Sequence, residues 1–362
     1  MIAAKKSSSG DHLSLRIWIP CIRAKSGADV YVKRLARELS ARGHEPFVEW
    51  FPKKYQYVPW LLRNRKPPAG TDIIHANSWN AFAFARRGVP LVTVVLHCVY
   101  RRGFPQWKSF AQAIFHDQMV GRFEKLSFKN SSEILAISES TRSELIEDFG
   151  LKSVRSIPLW IDTEVYSPGS LATQSCRTTT RVLIVGNLSK RKGGDMIVPF
   201  CEALGPDFEV IIVAGLRGAK PGTSACGASL EFISGLSEQE LIDSYRHADI
   251  VASLSRHEGF GYTALEAMAC GKPVVAFDTT GLRDVIERDR TGFLVPIGDT
   301  DALAAACKVL RNHPKLASEF GTAGRQRSID LFNAEKAIDE HIELYKGLVT
   351  RSQIRRDGNL LR

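Results

Sequence analysis

Two short apolar runs, separated by a glycine-broken loop, constrain the fold of this chain more than any other feature. The runs are residues 248–253 and 273–277, and short runs of this kind are typical of strands buried in a parallel sheet. Between them, Gly259 and Gly261 open a helix pattern. Glycine adopts backbone angles closed to other residues and lets a ligand approach main-chain amides. The pattern predicts an α/β fold with a ligand site at a helix N-terminus.

Two carboxylates bracket this glycine loop. Glu258 lies within the loop, and Glu266 follows after seven intervening residues, which places it one to two turns into the helix. Carboxylates in such positions can each accept hydrogen bonds from a pair of sugar hydroxyls. The alternative is that both are solvated side chains on a surface helix. The long context, from Ser255 to the second apolar run, favours the binding site.

The spacing of Ser255, Glu258 and Glu266, followed by Ala-Met-Ala-Cys-Gly-Lys-Pro-Val-Val, resembles the retaining glycosyltransferases of family 4. The resemblance implies the GT-B fold, in which two Rossmann-like domains face a cleft and the C-terminal helix crosses back to the N-terminal domain. A length of 362 residues fits two domains. The predicted N-terminal domain, at residues 1–166, binds the acceptor, and a hinge follows at 167–180. The predicted C-terminal domain, at 181–345, binds the donor, and a basic tail occupies 346–362.

A loop rich in cations follows the apolar run that ends at Gly186. It contains Lys190, Arg191 and Lys192 ahead of a helix pattern, and clustered cations at such a place suit a diphosphate. The alternative is a solvated basic turn. In the family, an arginine and a lysine of this loop hold the diphosphate. Lys192 matches the lysine, whereas Asn187 stands in place of the arginine, so either Lys190 or Arg191 compensates or the enzyme is impaired.

Two strand ends in the N-terminal half carry candidate ligand-binding residues. Gly27 follows the first predicted strand and precedes a helix pattern, an arrangement at which doubly wound sheets bind ligands, although a plain tight turn is the alternative. His97 ends the apolar run 90–96. A lone histidine is more often an ordinary hydrogen-bonded residue, but the resemblance implies that it contacts the transferred sugar. Family members often have aspartate next, where this chain has Cys98.

The chain has a net charge of +10, which favours anionic partners. In residues 100–130, basic and aromatic residues are interleaved, a pattern that suits peripheral contact with an anionic membrane or a phosphate-rich acceptor. An amphipathic helix pair with a solvated basic face fits the pattern equally well. Nucleic acid is not an expected partner, because no DNA- or RNA-binding motif accompanies these residues.

The seven cysteines have no paired spacing, which predicts reduced packing residues in a cytoplasmic protein and no metal site. The first residues lack the apolar core of a secretion signal. The longest apolar run is too short to span a bilayer. We therefore expect a cytoplasmic protein, with any contact at the inner face of the membrane being peripheral.

Taken with the resemblance, these features predict a retaining, metal-independent hexosyltransferase that uses no cofactor. The expected reaction moves a hexose from a UDP- or GDP-sugar to a glycan or lipid-linked glycan acceptor, in the synthesis of cell-surface polysaccharide or lipopolysaccharide. A nucleotide-sugar epimerase of the same fold and a non-catalytic nucleotide-sugar-binding homologue are the alternatives.

The resemblance implies a role for each candidate residue. Glu258 contacts the sugar hydroxyls beside main-chain amides of its loop, and Glu266 binds the ribose. Lys192 and Arg191 bind the diphosphate, and His97 orients the sugar. The predicted catalytic residues are His97 and Glu258, and the predicted donor-binding residues are Gly27, Asn187, Lys190, Arg191, Lys192, Gly259, Phe260, Gly261, Tyr262 and Glu266.

Overall fold

A computed structural model of the chain describes residues 14–24, 27–98, 115, 119–169, 178–214 and 227–360, with side chains as far as residue 354. These residues form two six-stranded sheets in which every pair of neighbouring strands is parallel. The predicted α/β class with two Rossmann-like domains in a GT-B arrangement is confirmed. Within the described ranges, no helix combines the length and apolarity needed to cross a bilayer.

Three predictions fall partly outside the described residues. They concern most of the hinge at 167–180, much of the basic and aromatic segment at 100–130, and two cysteines, Cys176 and Cys226. The other five cysteines are buried and form no disulfide. This agrees with their predicted role as packing residues.

The N-terminal sheet consists of β1 (Arg16–Ile22), β2 (Glu45–Phe51), β3 (Ile73–Asn77), β4 (Leu91–Val95), β5 (Glu133–Ala136) and β6 (Arg155–Ser156). The helices described in this half are α1 (Gly27–Ala41), α2 (Ala81–Phe84), α3 (Gly121–Asn130) and α4 (Glu139–Phe149). The strand order is β2-β1-β3-β4-β5-β6. The order of connection therefore reverses between β1 and β3, and this switch point is where such a sheet opens a crevice.

The C-terminal sheet consists of β7 (Thr180–Gly186), β8 (Phe208–Ala214), β9 (Ser229–Ser234), β10 (Ile250–Ser253), β11 (Val274–Phe277) and β12 (Gly292–Val295). Its described helices are α5 (Ile197–Leu204), α6 (Glu238–His247), α7 (Tyr262–Ala269), α8 (Thr280–Val285), α9 (Thr300–Asn312), α10 (Pro314–Leu331) and α11 (Ala334–Leu360). The strand order is β12-β11-β10-β7-β8-β9. Here the switch point lies between β7 and β10.

Local sequence sets several helix ends. Ser237 accepts from the Glu240 amide, and the Glu240 carboxylate accepts from the Ser237 amide, so a capping box begins α6. After α1, Gly43 has φ +80°, the left-handed geometry that ends a helix at glycine. Both helix ends are thus encoded by residues next to them in the sequence.

The last helix, α11, joins the two domains. It begins in the C-terminal half and packs against α1 of the N-terminal domain, so the predicted return of the C-terminal helix is confirmed. The helix continues without a break past residue 346, the predicted start of a basic tail, as far as Leu360. The largest cluster of buried apolar residues accordingly contains side chains of both domains.

A chain of buried hydrogen bonds fixes α11 against the N-terminal domain. The His341 Nδ1–H donates to the Ala337 carbonyl at 2.7 Å, so its Nε2 accepts from Tyr31 Oη at 3.4 Å. Tyr31 in turn accepts from the His75 Nε2–H at 3.0 Å, and His75 Nδ1 accepts from Tyr345 Oη at 2.8 Å. With the protons assigned in this way, every ring nitrogen of His75 and His341 has a hydrogen-bond partner while both histidines are neutral.

Acidification will weaken the fold through these two histidines. Burial lowers the pKa of His75 to about 3 and that of His341 to about 4. From pH ~6.5 downward these histidines therefore bind protons in the unfolded chain but not in the folded chain. As a result, the free energy of unfolding falls by up to about 1.4 kcal/mol per pH unit for each histidine. In urea unfolding between pH 7 and pH 5, we expect His341→Asn to show a shallower acid slope. An unchanged slope would contradict this, and the exposed His313→Asn is the control.

Candidate active site

The site predicted from the sequence lies where the switch points of the two sheets face each other. Loops at the carboxyl ends of the strands beside a switch point form the ligand-binding crevice of a parallel sheet. In the N-terminal domain the loop after β1 leads to Gly27, and the end of nearby β4 leads to His97. In the C-terminal domain the facing loops follow β7 and β10, at residues 187–193 and 254–261.

At Gly259 the backbones of the two domains approach each other closely. A Cβ atom on this residue would lie 2.1 Å from the carbonyl oxygen of Leu96 and 2.9 Å from the Cβ of His97. The Gly259 carbonyl also accepts from Ser138 Oγ at 3.0 Å and from Thr141 Oγ1 at 3.1 Å. Glycine is therefore required here for close approach of one domain to the other.

Gly261 is required for a different reason. It begins α7 with φ +106°, a left-handed conformation that favours glycine. The sequence attributed unusual backbone angles to both glycines, but Gly259 does not have a positive φ. Only the angle at Gly261 agrees with that reasoning, and the angle allows the loop to turn into the helix.

Glu258 and Lys192 form an ion pair between the two loops of the C-terminal domain. The Lys192 ammonium donates to Glu258 Oε1, which also accepts from Ser255 Oγ at 3.0 Å. The Lys192 side chain is 20% exposed and that of Glu258 is 11% exposed, so most of each side chain lies away from solvent. Arg191 also connects these two loops, because its Nη1 donates to the His257 carbonyl at 2.8 Å. The structure thus brings together three residues that the sequence assigned separately to the sugar and the diphosphate.

Charge partners determine the ionisation of this pair. Burial alone would raise the pKa of Glu258, but the charges of Lys192 and Arg191, together with hydrogen bonds from Lys192 and Ser255, lower it to about 2. Burial lowers the pKa of Lys192, and the charge of Glu258 opposes that effect. Glu258 is therefore a carboxylate at neutral pH and acts only as a hydrogen-bond acceptor.

Glu266 lies deeper, at the boundary with the N-terminal domain. It is 7% exposed, and its Oε1 accepts from Arg34 Nη2 of helix α1 at 3.1 Å. Its Oε2 accepts from Tyr245 Oη at 2.9 Å. Burial raises the pKa of Glu266, and the Arg34 charge with hydrogen bonds from Tyr245 and Arg34 opposes the rise. Both oxygens thus have protein partners, and the contact with ribose stays a prediction.

Four other candidates lie near the boundary between the two domains. Gly27 is the first residue of α1, and a Cβ on it would lie 3.9 Å from Tyr262 Cδ2 across the domain boundary. The ring of His97 lies 5.9 Å from that of Trp79, which follows β3. Phe260 is buried with its ring 5.9 Å from that of Tyr262. Four candidates from both halves of the sequence are therefore neighbours in space.

The remaining two candidates are in the cation loop. Lys190 is exposed, and its carbonyl accepts from Arg256. Asn187 is half-buried at the end of β7. The guanidinium of Arg191 contributes to the low pKa of Glu258, whereas Lys190 makes no such contribution. Between the two residues that the sequence offered as compensation for Asn187, Arg191 is the one turned toward the carboxylate.

Sequence reasoning missed Arg34 and Tyr245, the two partners of Glu266. Arg34 was one of several cations in the first helix, without a motif. Its position was a usable signal, because it falls on the buried helical stripe of Tyr31 and Leu35, where a cation requires a partner. Its partner Glu266 lies more than 230 positions away in the sequence, and helical periodicity cannot predict a pairing between residues so far apart.

Two protein families match the chain. Residues 46–165 match the family described as Glycosyltransferase Family 4, and residues 174–327 match the family described as Glycosyl transferases group 1. The second match includes both the cation loop and the stretch that carries Glu258 and Glu266. Together the matches extend over most of both domains.

Individual proteins resemble the chain over most of its length. The MMP alpha-(1->4)-mannosyltransferase of Mycolicibacterium hassiacum is 25% identical over 300 residues, covering 77% of this chain and 71% of that protein. The structure of sucrose-phosphate synthase from Thermosynechococcus elongatus has a TM-score of 0.77 and 20% identity, covering 93% of this chain and 100% of that chain. Anabaena Alr3699/HepE in complex with UDP-glucose has a TM-score of 0.72 and 19% identity, covering 92% and 100%. These two structures support the GT-B fold.

Adding one methyl group at the domain contact should force the domains apart. In Gly259→Ala the new Cβ collides with the backbone of Leu96, which cannot move aside as a side chain would. We expect a loss of about 1–3 kcal/mol in the free energy of unfolding and a larger radius of gyration, measured by urea unfolding and small-angle X-ray scattering. In the control Gly347→Ala, nothing lies within 4 Å of the added Cβ. A Gly259→Ala protein as stable and compact as the wild type would refute the steric argument.

Proposed function

Because this chain belongs to the group 1 glycosyltransferases of family 4, we propose that it transfers a hexose from a UDP- or GDP-sugar to a hydroxyl of a glycan or lipid-linked glycan. Transfer occurs with retention of the anomeric configuration and without a metal ion. The observation that carries the proposal is the meeting of Glu258, Lys192 and Arg191 at the facing switch points. Sugar hydroxyls and a diphosphate are the groups that these side chains recognise.

The cations of the β7 loop bind the diphosphate in this proposal. Lys192 is already inside the site, and Arg191 lies next to it, where it lowers the pKa of Glu258 through its charge. Arg191 therefore supplies the cation that the family places at Asn187. Negative charge that builds on the departing nucleotide is stabilised by both side chains, together with the amides at the start of α7.

Binding of the donor would replace the ion pair of Glu258 and Lys192. The ammonium group turns to the diphosphate, and the carboxylate accepts from hydroxyls of the hexose, so each charge exchanges one partner for another. His97 and the main chain of residues 259–261 orient the sugar from opposite sides of the cleft. The two charges neutralise each other until the donor arrives, which keeps the buried groups compensated.

The chemical step proposed here is a front-face substitution. The bond between the anomeric carbon and the phosphate oxygen breaks, and the bond to the acceptor oxygen forms on the same face. The acceptor proton passes to the departing phosphate oxygen. Close contact of the domains excludes water, which would otherwise hydrolyse the donor.

The similar proteins support the choice of donors. HepE was solved with UDP-glucose, and the relative from Mycolicibacterium hassiacum is a mannosyltransferase by name. A UDP-hexose and GDP-mannose are accordingly the first donors to test. We place the acceptor in cell-surface polysaccharide or lipopolysaccharide synthesis, where a glycan grows at a membrane.

A basic surface of the N-terminal domain supports peripheral contact with an anionic membrane. It comprises residues 53–66 and helix α3, which adjoin where the Trp60 ring lies 5.9 Å from that of Phe123. Residues 52–71 contain no acid, and the one acid of α3, Glu124, is buried. The exposed cations of this surface are Lys53, Lys54, Arg63, Arg65, Lys66, Arg122, Lys125 and Lys129. Its exposed apolar side chains are Tyr57, Trp60, Leu61 and Leu126.

A panel of UDP-glucose, UDP-N-acetylglucosamine and GDP-mannose will test the donor assignment by calorimetry and by transfer to glycan acceptors. We expect Lys192→Met to bind the preferred donor roughly 10- to 100-fold more weakly, because a charge-assisted hydrogen bond to the diphosphate is lost. Glu258→Gln should keep affinity for the free nucleoside diphosphate but lose the additional affinity due to the sugar. Lys308→Met, which removes an exposed lysine of helix α9, is the matched control.

The outcomes of this panel separate the alternatives. Conversion of a donor to its epimer without any acceptor would favour an epimerase, and binding without turnover would favour a non-catalytic protein. The anomeric configuration of the product, read by NMR, decides between retention and inversion. Equal donor affinity of Lys192→Met and wild type would contradict the role given to the cation loop.

Vesicle sedimentation will test the basic surface. We expect the protein to sediment with vesicles that contain phosphatidylglycerol, less so with phosphatidylcholine alone, and to be released by salt. The double variant Trp60→Ser/Leu61→Ser should sediment weakly. Leu331→Ser, which changes a comparably exposed apolar residue in the other domain, should behave as wild type. Equal sedimentation of all three proteins with both lipids would refute membrane contact through this surface.

A further inference from the structure

Arg34 is a buried cation of the N-terminal domain whose partners belong mainly to the C-terminal half. Its side chain is 10% exposed, and Nη2 lies 3.1 Å from Glu266 Oε1 and 3.3 Å from Tyr166 Oη. The guanidinium carbon lies 4.8 Å from the ring centroid of Tyr262, over its face. Arg34 thus touches two of the predicted donor-binding residues, Glu266 and Tyr262.

The hydrogen bonds of this guanidinium are incomplete. Nη1 is buried and has no hydrogen-bond partner among the described residues. A buried donor without an acceptor is unfavourable, and the deficit is larger for a charged group. An oxygen-rich ligand that enters beside Arg34 would satisfy Nη1 directly.

Glu266 keeps room for a ligand despite its two protein partners. An ionised carboxylate has about four acceptor sites on its two oxygens. Arg34 uses one on Oε1 and Tyr245 uses one on Oε2. One site therefore remains on each oxygen, which is the pattern that two neighbouring hydroxyls of a ribose require.

Arg34 opposes the effect of burial on Glu266. Burial raises the pKa of this carboxyl, and the Arg34 charge is the largest effect that opposes the rise. Protonation would convert an oxygen of Glu266 from acceptor to donor. The other groups that interact electrostatically with Glu266 cannot take over from Arg34, since they are neutral or acidic: Tyr166, Tyr245, Tyr262, Cys270 and Glu238.

We propose that Arg34 is a donor-binding residue supplied by the N-terminal domain. It holds Glu266 as an ionised acceptor for the ribose diol, and its Nη1 donates to an oxygen of the same ribose phosphate. The inference rests on the proposed function, and adds to it a direct contact between the bound nucleotide and the N-terminal domain. Nucleotide binding and closure of the domains are then linked, because one guanidinium takes part in both.

The test compares UDP with 2′,3′-dideoxy-UDP, and GDP with its dideoxy analogue, by calorimetry. We expect wild type to prefer the ribonucleotide, and Arg34→Met to bind it roughly 10- to 100-fold more weakly while losing most of that preference. Loss of affinity for the ribonucleotide on acidification should begin at a higher pH in Arg34→Met than in wild type, because Glu266 is then more easily protonated. Arg34→Lys, which keeps the charge, should restore part of the affinity.

The controls distinguish a binding role from a structural one. Arg37→Met changes a 54% exposed arginine of the same helix and should bind both nucleotides as wild type does. A uniform loss of affinity for ribo- and dideoxynucleotides in Arg34→Met would indicate disturbed packing and overturn the inference, as would unchanged affinity. Failure of the wild type to bind any member of the nucleotide-sugar panel would instead contradict the proposed function itself. Urea unfolding of each variant establishes that the proteins compared are folded.

Discussion

The contact between the Gly259 backbone and the end of β4 is the constraint on which the site depends. It brings loops from two separate sheets together with no side chain between them, since even a methyl group would overlap Leu96. Ser138 and Thr141 hold the same carbonyl from the N-terminal domain. His97 of the N-terminal domain could not lie beside Gly259 if this approach were wider. The candidate site is thus completed at the domain interface, although Glu258, Lys192 and Arg191 all belong to the C-terminal domain.

The two glutamates of the site show how environment separates chemically identical groups. Both are largely buried, yet Glu258 has its pKa lowered to about 2, whereas that of Glu266 is raised. Lys192 and Arg191 both act on Glu258, while Arg34 alone provides positive charge to Glu266 among the groups that shift it. The two positions therefore differ in the number of cations that favour the ionised carboxylate, which is two for Glu258 and one for Glu266.

The sequence predicted the features that local chemistry encodes. Buried strands and the left-handed Gly261 each depend on a few adjacent residues, and the motif around Glu258 identified the loop. The sequence could not predict pairings across the domain boundary. Arg34 of α1 meets Glu266 of α7 across the domain boundary, and Gly259 is explained by a backbone in the other domain. The boundary predicted at residue 346 stays a prediction, and helix α11 runs through that position from Ala334 to Leu360.

The chain crosses between its domains side by side at two places, after β6 and at the start of α11. The Ile161 amide donates to the Phe332 carbonyl at 2.9 Å, which joins the two crossings directly. A rotation of one domain against the other about this pair would disturb the two crossings least. The ring of Phe332 lies 5.6 Å from that of Phe260, so the loop that carries Glu258 is beside the same pair. Displacement is smallest near an axis, so such a rotation would open the outer edges of the cleft and leave the Glu258 loop almost in place.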